Sequence, residues 1–225
     1  IHQLRGDGGE TVSGRLSYAN PNLQQVPARN KELGTRIRSL FKPESGLQWG
    51  SFDYSQQEPR LVVHYAASTE PMCKDNSVVE IVKKFNKGNV DFHQTVADMA
   101  NISRTQAKTI NLGLFYGMGK AKLQAELGLG TKEEAEDLFN QYHESVPFVK
   151  ELMSSTQNYA SKSGSIGTLL GRRCRFNKWE PKAFGMHKPM EFGEAVSTYR
   201  LEHIRRAFTY KALNKLIQGS AADMT

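Results

Sequence analysis

A chain of 225 residues, 38% hydrophobic and 24% charged, is long enough to bury the core of one large or two small domains. Its mean hydropathy is −0.55, it has no apolar run near the roughly 20 residues that cross a bilayer, and no basic-plus-apolar leader opens it, which argues against a membrane span or a secreted precursor. The net charge is +7, and residues 161–225, with 12 basic and 5 acidic side chains, carry the whole excess, as a surface facing a polyanion would; an ordinary solvated basic face accounts for the same number.

Residues 1–45 are rich in Gly, Pro, Asn and Ser without a sustained helical period and read as an ordered loop region with short extended pieces. Residues 47–53 look strand-like, and residues 56–67 then take helical spacing with Pro59 in the first turn, so Asp53 is expected at a strand-to-helix junction. Helices follow at 78–86, at 91–100 behind an Asp91 N-cap, at 103–116 behind a Ser103/Gln106 capping pattern, and up to 143 behind Thr131/Glu134. Pro147 breaks the pattern, 148–162 resumes it, Ser163-Gly164-Ser165 turns into a short hairpin over 166–175, and a long helix or helix pair is expected over 191–216. Many helices and few strands give an α+β class with a mainly helical insertion. Cys73 and Cys174 stand far apart, form no disulfide framework or zinc spacing, and fit a reducing, cytoplasmic setting. Opening on Ile1 and closing on Thr225 inside a helical pattern, the chain reads as a fragment.

Within 103–116, Arg104, Lys108, Leu112 and Tyr116 recur every four residues and share one helix face. Two cations followed by an apolar and an aromatic side chain would hold a triphosphate at one end and stack a base or sugar at the other. A solvated basic face with Leu112 and Tyr116 in the core gives the same spacing. Asp53 and Glu58 bracket a second constellation: a carboxylate at a strand end can hold Mg²⁺, although Asp and Glu are also common turn and cap residues. Read together, an acid and a set of cations are what a metal-bound triphosphate needs. His93, Arg172-Arg173 and Arg205-Arg206 are most simply capping or solvated residues, the last pair on the final helix.

Five segments in series closely resemble the polymerase domain of family A DNA polymerases, the bacterial polymerase I type and its phage relatives. They are Thr11 to Ser17 (TVSGRLS), Pro21 to Pro27 (PNLQQVP), Asp53 to Glu58 (DYSQQE), Arg104 to Gly117 (RTQAKTINLGLFYG) and Gln218 to Asp223 (QGSAAD). The resemblance implies helical fingers inserted in a partial palm with an incomplete antiparallel sheet. Residues 1–67 would be the first part of the palm, 68–195 the fingers, and 196–225 a helix returning to the palm. It implies Asp53 as the first catalytic aspartate, binding two Mg²⁺ together with the Tyr54 carbonyl. Glu58 and Tyr116 would exclude ribonucleotides, Arg104, Lys108 and His93 would hold the triphosphate, and Arg15, Asn22, Gln24, Asn214 and Gln218 would contact primer-template DNA. The implied reaction is transfer of a deoxynucleotide from a dNTP to a primer 3′-hydroxyl, in a bacterial or phage-infected cell, with no membrane partner.

The chain also departs from the pattern. The His-Asp-Glu motif that carries the family's second metal-binding aspartate is absent from 1–225, so the chain alone is expected to be inactive. Leu112 stands where Phe or Tyr is usual, Gln57 and Pro59 replace apolar neighbours of Glu58, and Tyr210 stands where arginine often contacts the template-primer. The rival readings are a non-catalytic DNA-binding relative and a single-subunit RNA polymerase. Glu58 weighs against the latter, because a carboxylate there would crowd a 2′-hydroxyl.

Overall fold

A computed structural model describes residues 13–16, 22–27, 30–70, 72–88, 90–115, 120–183, 185 and 187–225, which fall into two compact units, 1–55 and 56–225.

In the first unit a 3₁₀ turn over Leu23–Gln25 is followed by α1 (Lys31–Arg38). Asn30 caps α1 by accepting from the amides of Glu32 and Leu33 at 3.1 and 2.9 Å, and Glu32 in the first turn with Arg36 and Arg38 in the last suit the helix dipole. This helix lies inside the stretch expected to be loop. Residues 47–54 form no strand and are exposed, with Phe52 98% accessible. Strand propensity reflects packing on a half-buried pleated face, and among the described residues no strand pairs with this one. Asp53 and Tyr54 therefore sit in exposed irregular chain rather than at a strand end.

The second unit opens with α2 (Gln57–Ala67), whose face of Leu61, Val62 and Ala66 is buried. Pro59 occupies its first turn, where the missing N–H has no partner to lose. Next come α3 (Asn76–Asn86), α4 (Phe92–Ala100), α5 (Arg104–Phe115), α6 (Lys120–Leu127), α7 (Lys132–Ser145) and α8 (Pro147–Ser163). The capping patterns behave as expected: Ser103 Oγ accepts from Gln106 N while Gln106 Oε1 accepts from Ser103 N, and Thr131 and Glu134 close a full capping box. Pro147 starts α8 at its first turn. The helix α6 was not expected from the sequence.

Gly164 ends α8 at φ +75°, and β1 (Ser165–Gly167) pairs antiparallel with β2 (Arg173–Arg175), Ile166 opposite Cys174. The expected long helix over 191–216 is broken. Instead β3 (Trp179–Pro181) leads to α9 (Phe192–Thr198), a 3₁₀ turn, β4 (Ile204–Arg206) and then α10 (Ala212–Met224). Cross-strand pairs account for the break: β4 lies antiparallel to β3 with Arg205 opposite Glu180 and Arg206 opposite Trp179, and Arg205 Nε donates to Glu180 at 2.9 Å. Arg205 and Arg206 are thus strand residues with partners, since the Arg206 guanidinium also stacks on Trp179 at 4.6 Å and donates to the Phe176 carbonyl at 3.0 Å.

The described fold is α+β, mainly helical with two small antiparallel sheets. Its core runs through α2, α8 and α10, which pack on one another, and continues through α4, α5 and α7 by way of Phe92, Ile110, Phe115 and Tyr142. Among the described residues no helix is long and apolar enough to cross a membrane.

Candidate functional site

The densest polar arrangement lies where α4 and α5 pack together. Asp91 caps α4 through Oδ1, accepting from the amides of His93 and Gln94 at 3.0 and 3.1 Å, while Oδ2 accepts from Arg104 Nε at 2.8 Å and from a terminal guanidinium nitrogen at 2.7 Å. Partial burial pushes the Asp91 carboxyl up. The Arg104 hydrogen bond, the Gln94 amide, the Arg104 charge and the His93 amide outweigh it and hold the group below the ordinary carboxylate value. Arg104 opens α5, Lys108 follows one turn later and is exposed, and Leu112 is half-buried another turn on, so these three form the expected row. Tyr116, the fourth member, lies outside the described residues.

His93 joins this row from α4. Burial is the chief cause that holds its pKa below the ordinary histidine value; Asp91 pulls it up, and the nearby charges of Arg104 and Lys108 push it down. The ring is therefore neutral near pH 7, and the two cations of α5 lie within electrostatic reach of it. Its Nδ1 is 3.1 Å from Asn111 Nδ2, and Asn111 Oδ1 accepts from the Tyr142 hydroxyl at 2.5 Å.

Gln56 fixes the loop that enters α4. Its amide accepts from Phe92 N at 2.6 Å and donates to the Val90 carbonyl, and its own backbone, at φ +54°, is left-handed. Such a conformation costs energy in a non-glycine residue and persists where side-chain bonds over-determine it. Sequence reasoning passed over Gln56, Asp91 as a partner of Arg104, Asn111 and Tyr142. The signal for Asn111 is its spacing, seven residues after Arg104 and three after Lys108, which sets it on their side of α5.

On α2, Glu58 is half-buried in the first turn, and Gln57 reaches across to α10, donating to the Ala221 carbonyl at 3.0 Å. The polar departure beside Glu58 thus bonds a neighbouring helix. Asn214 and Gln218 lie one turn apart on α10, both half-buried. The turn between β1 and β2 is clamped to the same helix. Leu169 N donates to Ser220 Oγ at 3.0 Å, Leu170 N to Asp223 at 3.1 Å, and Arg172 donates to Asp223 at 2.7 and 2.9 Å and to the Gly219 carbonyl at 2.7 Å. Arg172 is accordingly an ion-paired residue and not a solvated charge. In the first unit Arg15 is exposed, Asn22 Oδ1 accepts from Gln24 N, and Gln24 Nε2 donates to the Leu16 carbonyl at 2.9 Å.

The α4/α5 corner thus gathers an arginine, a lysine and a half-buried histidine, and α10, later in the chain, carries the QGSAAD segment. The family model described as DNA polymerase family A matches residues 8–225. The chain belongs to this family. Similar to it are a DNA-directed DNA polymerase of Pseudomonas phage M6, 37% identical over 249 residues and covering 94% of this chain and 34% of the relative, and DNA polymerase I of Borreliella burgdorferi, 34% identical over 224 residues and covering 96% and 21%. Among solved structures, the polymerase domain of Pol1 from M. smegmatis, in complex with DNA primer-template and dNTP, matches with TM-score 0.68 and 30% identity over 96% of this chain and 34% of its own. The chain spans about a third or less of the length of these relatives.

Family A polymerases generally use divalent metal ions. Among the described residues no group of three or more His, Cys, Asp or Glu side chains could hold one. Asp53, exposed, offers a single carboxylate, with the Tyr54 carbonyl beside it in sequence. These two fit part of a hard-cation site, which needs several oxygens besides those of a phosphate and water.

Proposed function

We propose that this chain supplies the nucleotide grip and part of the DNA-holding surface of a template-directed DNA polymerase, which transfers a deoxynucleotide from a dNTP to a primer 3′-hydroxyl. The observation that carries the reading is the α4/α5 corner, where Asp91 ties the first turn of α4, which bears His93, to Arg104 on α5, with Lys108 one turn further on. Arg104 and Lys108 provide the charge that a triphosphate needs, His93 provides a neutral donor, and Leu112 with Tyr116 provides the apolar wall beyond them. Arg104 is held by Asp91 and so meets the ligand in a fixed orientation.

Glu58 and Tyr116 would exclude a 2′-hydroxyl. Arg15, Asn22, Gln24, Asn214 and Gln218 would line primer-template DNA, reading groove acceptors that all base pairs share. Asp53 and the Tyr54 carbonyl would contribute to binding the Mg²⁺ ions of the complete enzyme. The hold on phosphate falls to Arg104, Lys108 and His93. Residues 1–67 and 196–225 would belong to a palm and 68–195 to fingers; the packing of α2 on α10 supports the return of 196–225 to the same body as residues 57–67. The phage and bacterial relatives favour a place in a bacterial or phage-infected cell.

Steady-state primer extension by the full-length protein tests the reading. Lys108→Ala should raise the dNTP KM or lower kcat by on the order of tenfold or more, the loss of about 1.5–3 kcal/mol from a charged hydrogen bond. Unchanged constants would remove the phosphate role. Asp53→Asn should abolish extension while leaving DNA binding in place.

A further inference from the structure

Behind the proposed phosphate corner, three side chains form a hydrogen-bonded series with one possible polarity. Tyr142 is fully buried on α7, and among the described residues its hydroxyl has a single hydrogen-bond partner, Asn111 Oδ1 at 2.5 Å. Asn111 is itself fully buried on α5, and its Nδ2 faces His93 Nδ1 at 3.1 Å. A buried hydroxyl proton without an acceptor carries a desolvation cost, so the Tyr142 proton goes to Oδ1 and the amide is thereby oriented. An amide NH₂ can only donate. His93 Nδ1 must then be the bare, accepting nitrogen, and the proton of the neutral ring sits on Nε2.

We propose that Asn111 and Tyr142 are positioning residues that hold His93 as its neutral Nε2–H tautomer, making it a fixed, uncharged donor to an oxygen of the incoming triphosphate. The proposal rests on the reading of His93 as a phosphate contact. Nε2 has no hydrogen bond among the described residues, and the ring is only half-buried, so that nitrogen is the one left for a ligand. The groups facing the imidazole agree with a neutral ring. Burial, and the cations Arg104 and Lys108 on α5, oppose its charge; Asp91 at the start of its own helix favours it and is already occupied by Arg104. Burial also pushes the Tyr142 phenol far above its ordinary value, so the hydroxyl keeps its proton across the working range.

The three residues are energetically coupled. Protonating Nδ1 would set an N–H against the Asn111 NH₂, and turning the amide to relieve that clash would leave the Tyr142 proton without an acceptor. Charge for the phosphates comes from Arg104 and Lys108, while His93 adds direction without a third positive charge in the corner.

The test uses full-length protein labelled with ¹⁵N-histidine, with His93→Gln assigning the resonance. Wild-type His93 is expected to show a protonated Nε2 and a bare Nδ1 near neutral pH. Tyr142→Phe removes the proton that orients the amide. It is expected to mix the two tautomers, raise the His93 pKa, and raise the dNTP KM roughly threefold to tenfold with kcat little changed. In a His93→Gln background the same Tyr142→Phe change should have no further effect on KM. A wild-type ring protonated on Nδ1, or a Tyr142→Phe protein with unchanged tautomer and pKa, overturns the proposal. Should the ring respond as expected while His93→Gln leaves the dNTP KM untouched, the hydrogen-bonded series is upheld and the phosphate reading of His93 is what fails. If Tyr142→Phe does not fold, Asn111→Asp carries the test: a carboxylate can only accept, so the proton should move to Nδ1 and the pKa should rise.

Discussion

The Asp91 carboxylate serves two helices at once, its Oδ1 capping α4 and its Oδ2 held by Arg104 at 2.7 and 2.8 Å. The two functions separate by mutation. Both side chains are about half exposed, so the ion pair itself contributes less than about 1 kcal/mol. Asn is as good a cap as Asp, so Asp91→Asn should lower stability by less than about 1 kcal/mol, whereas Asp91→Ala, which removes the cap as well, should cost about 1–2 kcal/mol. Urea unfolding of the two variants distinguishes them, and equal losses would show that the cap contributes nothing.

A second aspartate makes the pH dependence testable. Burial pushes the Asp223 carboxyl up, but hydrogen bonds from Thr168, the Leu170 amide and Arg172, together with the Arg172 charge, hold it below the ordinary carboxylate value, as Asp91 is held below its own. A folded-state pKa that is depressed gives stability that is fully present above the unfolded pKa of about 3.9 and lost as pH falls from there through the lower folded value. Unfolding free energy should therefore fall with acid below about pH 4. In the variant carrying both Asp91→Asn and Asp223→Asn that fall should be shallower, as measured by denaturant titration at several pH values. A slope identical to wild type would mean that neither carboxylate is perturbed.

Much of this arrangement was legible because local chemistry decided it. The caps at Asp91, Ser103 and Thr131 and the proline that opens α8 act within four residues of sequence, and the row Arg104, Lys108, Leu112 follows from helical period alone. What escaped depended on distant partners. The stretch 47–53 has the composition of a strand and pairs with no described strand, while Ile204–Arg206 has helical neighbours and becomes a strand because Trp179 and Glu180 lie across from it. Arg172 looked like a solvated charge because Asp223, its partner, is 51 residues away. The series Tyr142, Asn111 and His93 draws on three helices, so no window of sequence contains it.

Gly164 offers a stability test of the link between α8 and the sheet of β3 and β4. Its φ is +75°, and a Cβ placed there would lie 2.7 Å from Cζ of Arg206. Gly164→Ala therefore meets both a left-handed backbone and a guanidinium already held by Trp179 and the Phe176 carbonyl. The backbone term alone is about 1–2 kcal/mol. If Arg206 has to swing away, its stacking is lost too. The double variant Gly164→Ala, Arg206→Ala should then show a smaller Gly164 penalty than the single change, and thermal unfolding of the four proteins closes the cycle.

Glu58 provides the sharpest functional prediction, because it separates sugar recognition from phosphate binding. It is half-buried in the first turn of α2, a helix fixed at one end by Gln56, through Val90 and Phe92, and at its side by Gln57 on the Ala221 carbonyl. On the proposed reading, a carboxylate carried on so fixed a backbone would crowd a 2′-hydroxyl, and a site that rejects an added group by crowding loses that selectivity when the group is trimmed. Glu58→Ala should raise ribonucleotide incorporation relative to deoxynucleotide by on the order of tenfold or more, while the dNTP KM changes far less than in Lys108→Ala. Single-nucleotide incorporation with matched ribo- and deoxynucleotides measures the ratio. Selection against ribonucleotides that is unchanged in Glu58→Ala would place the sugar filter elsewhere, with Tyr116 the next residue to substitute.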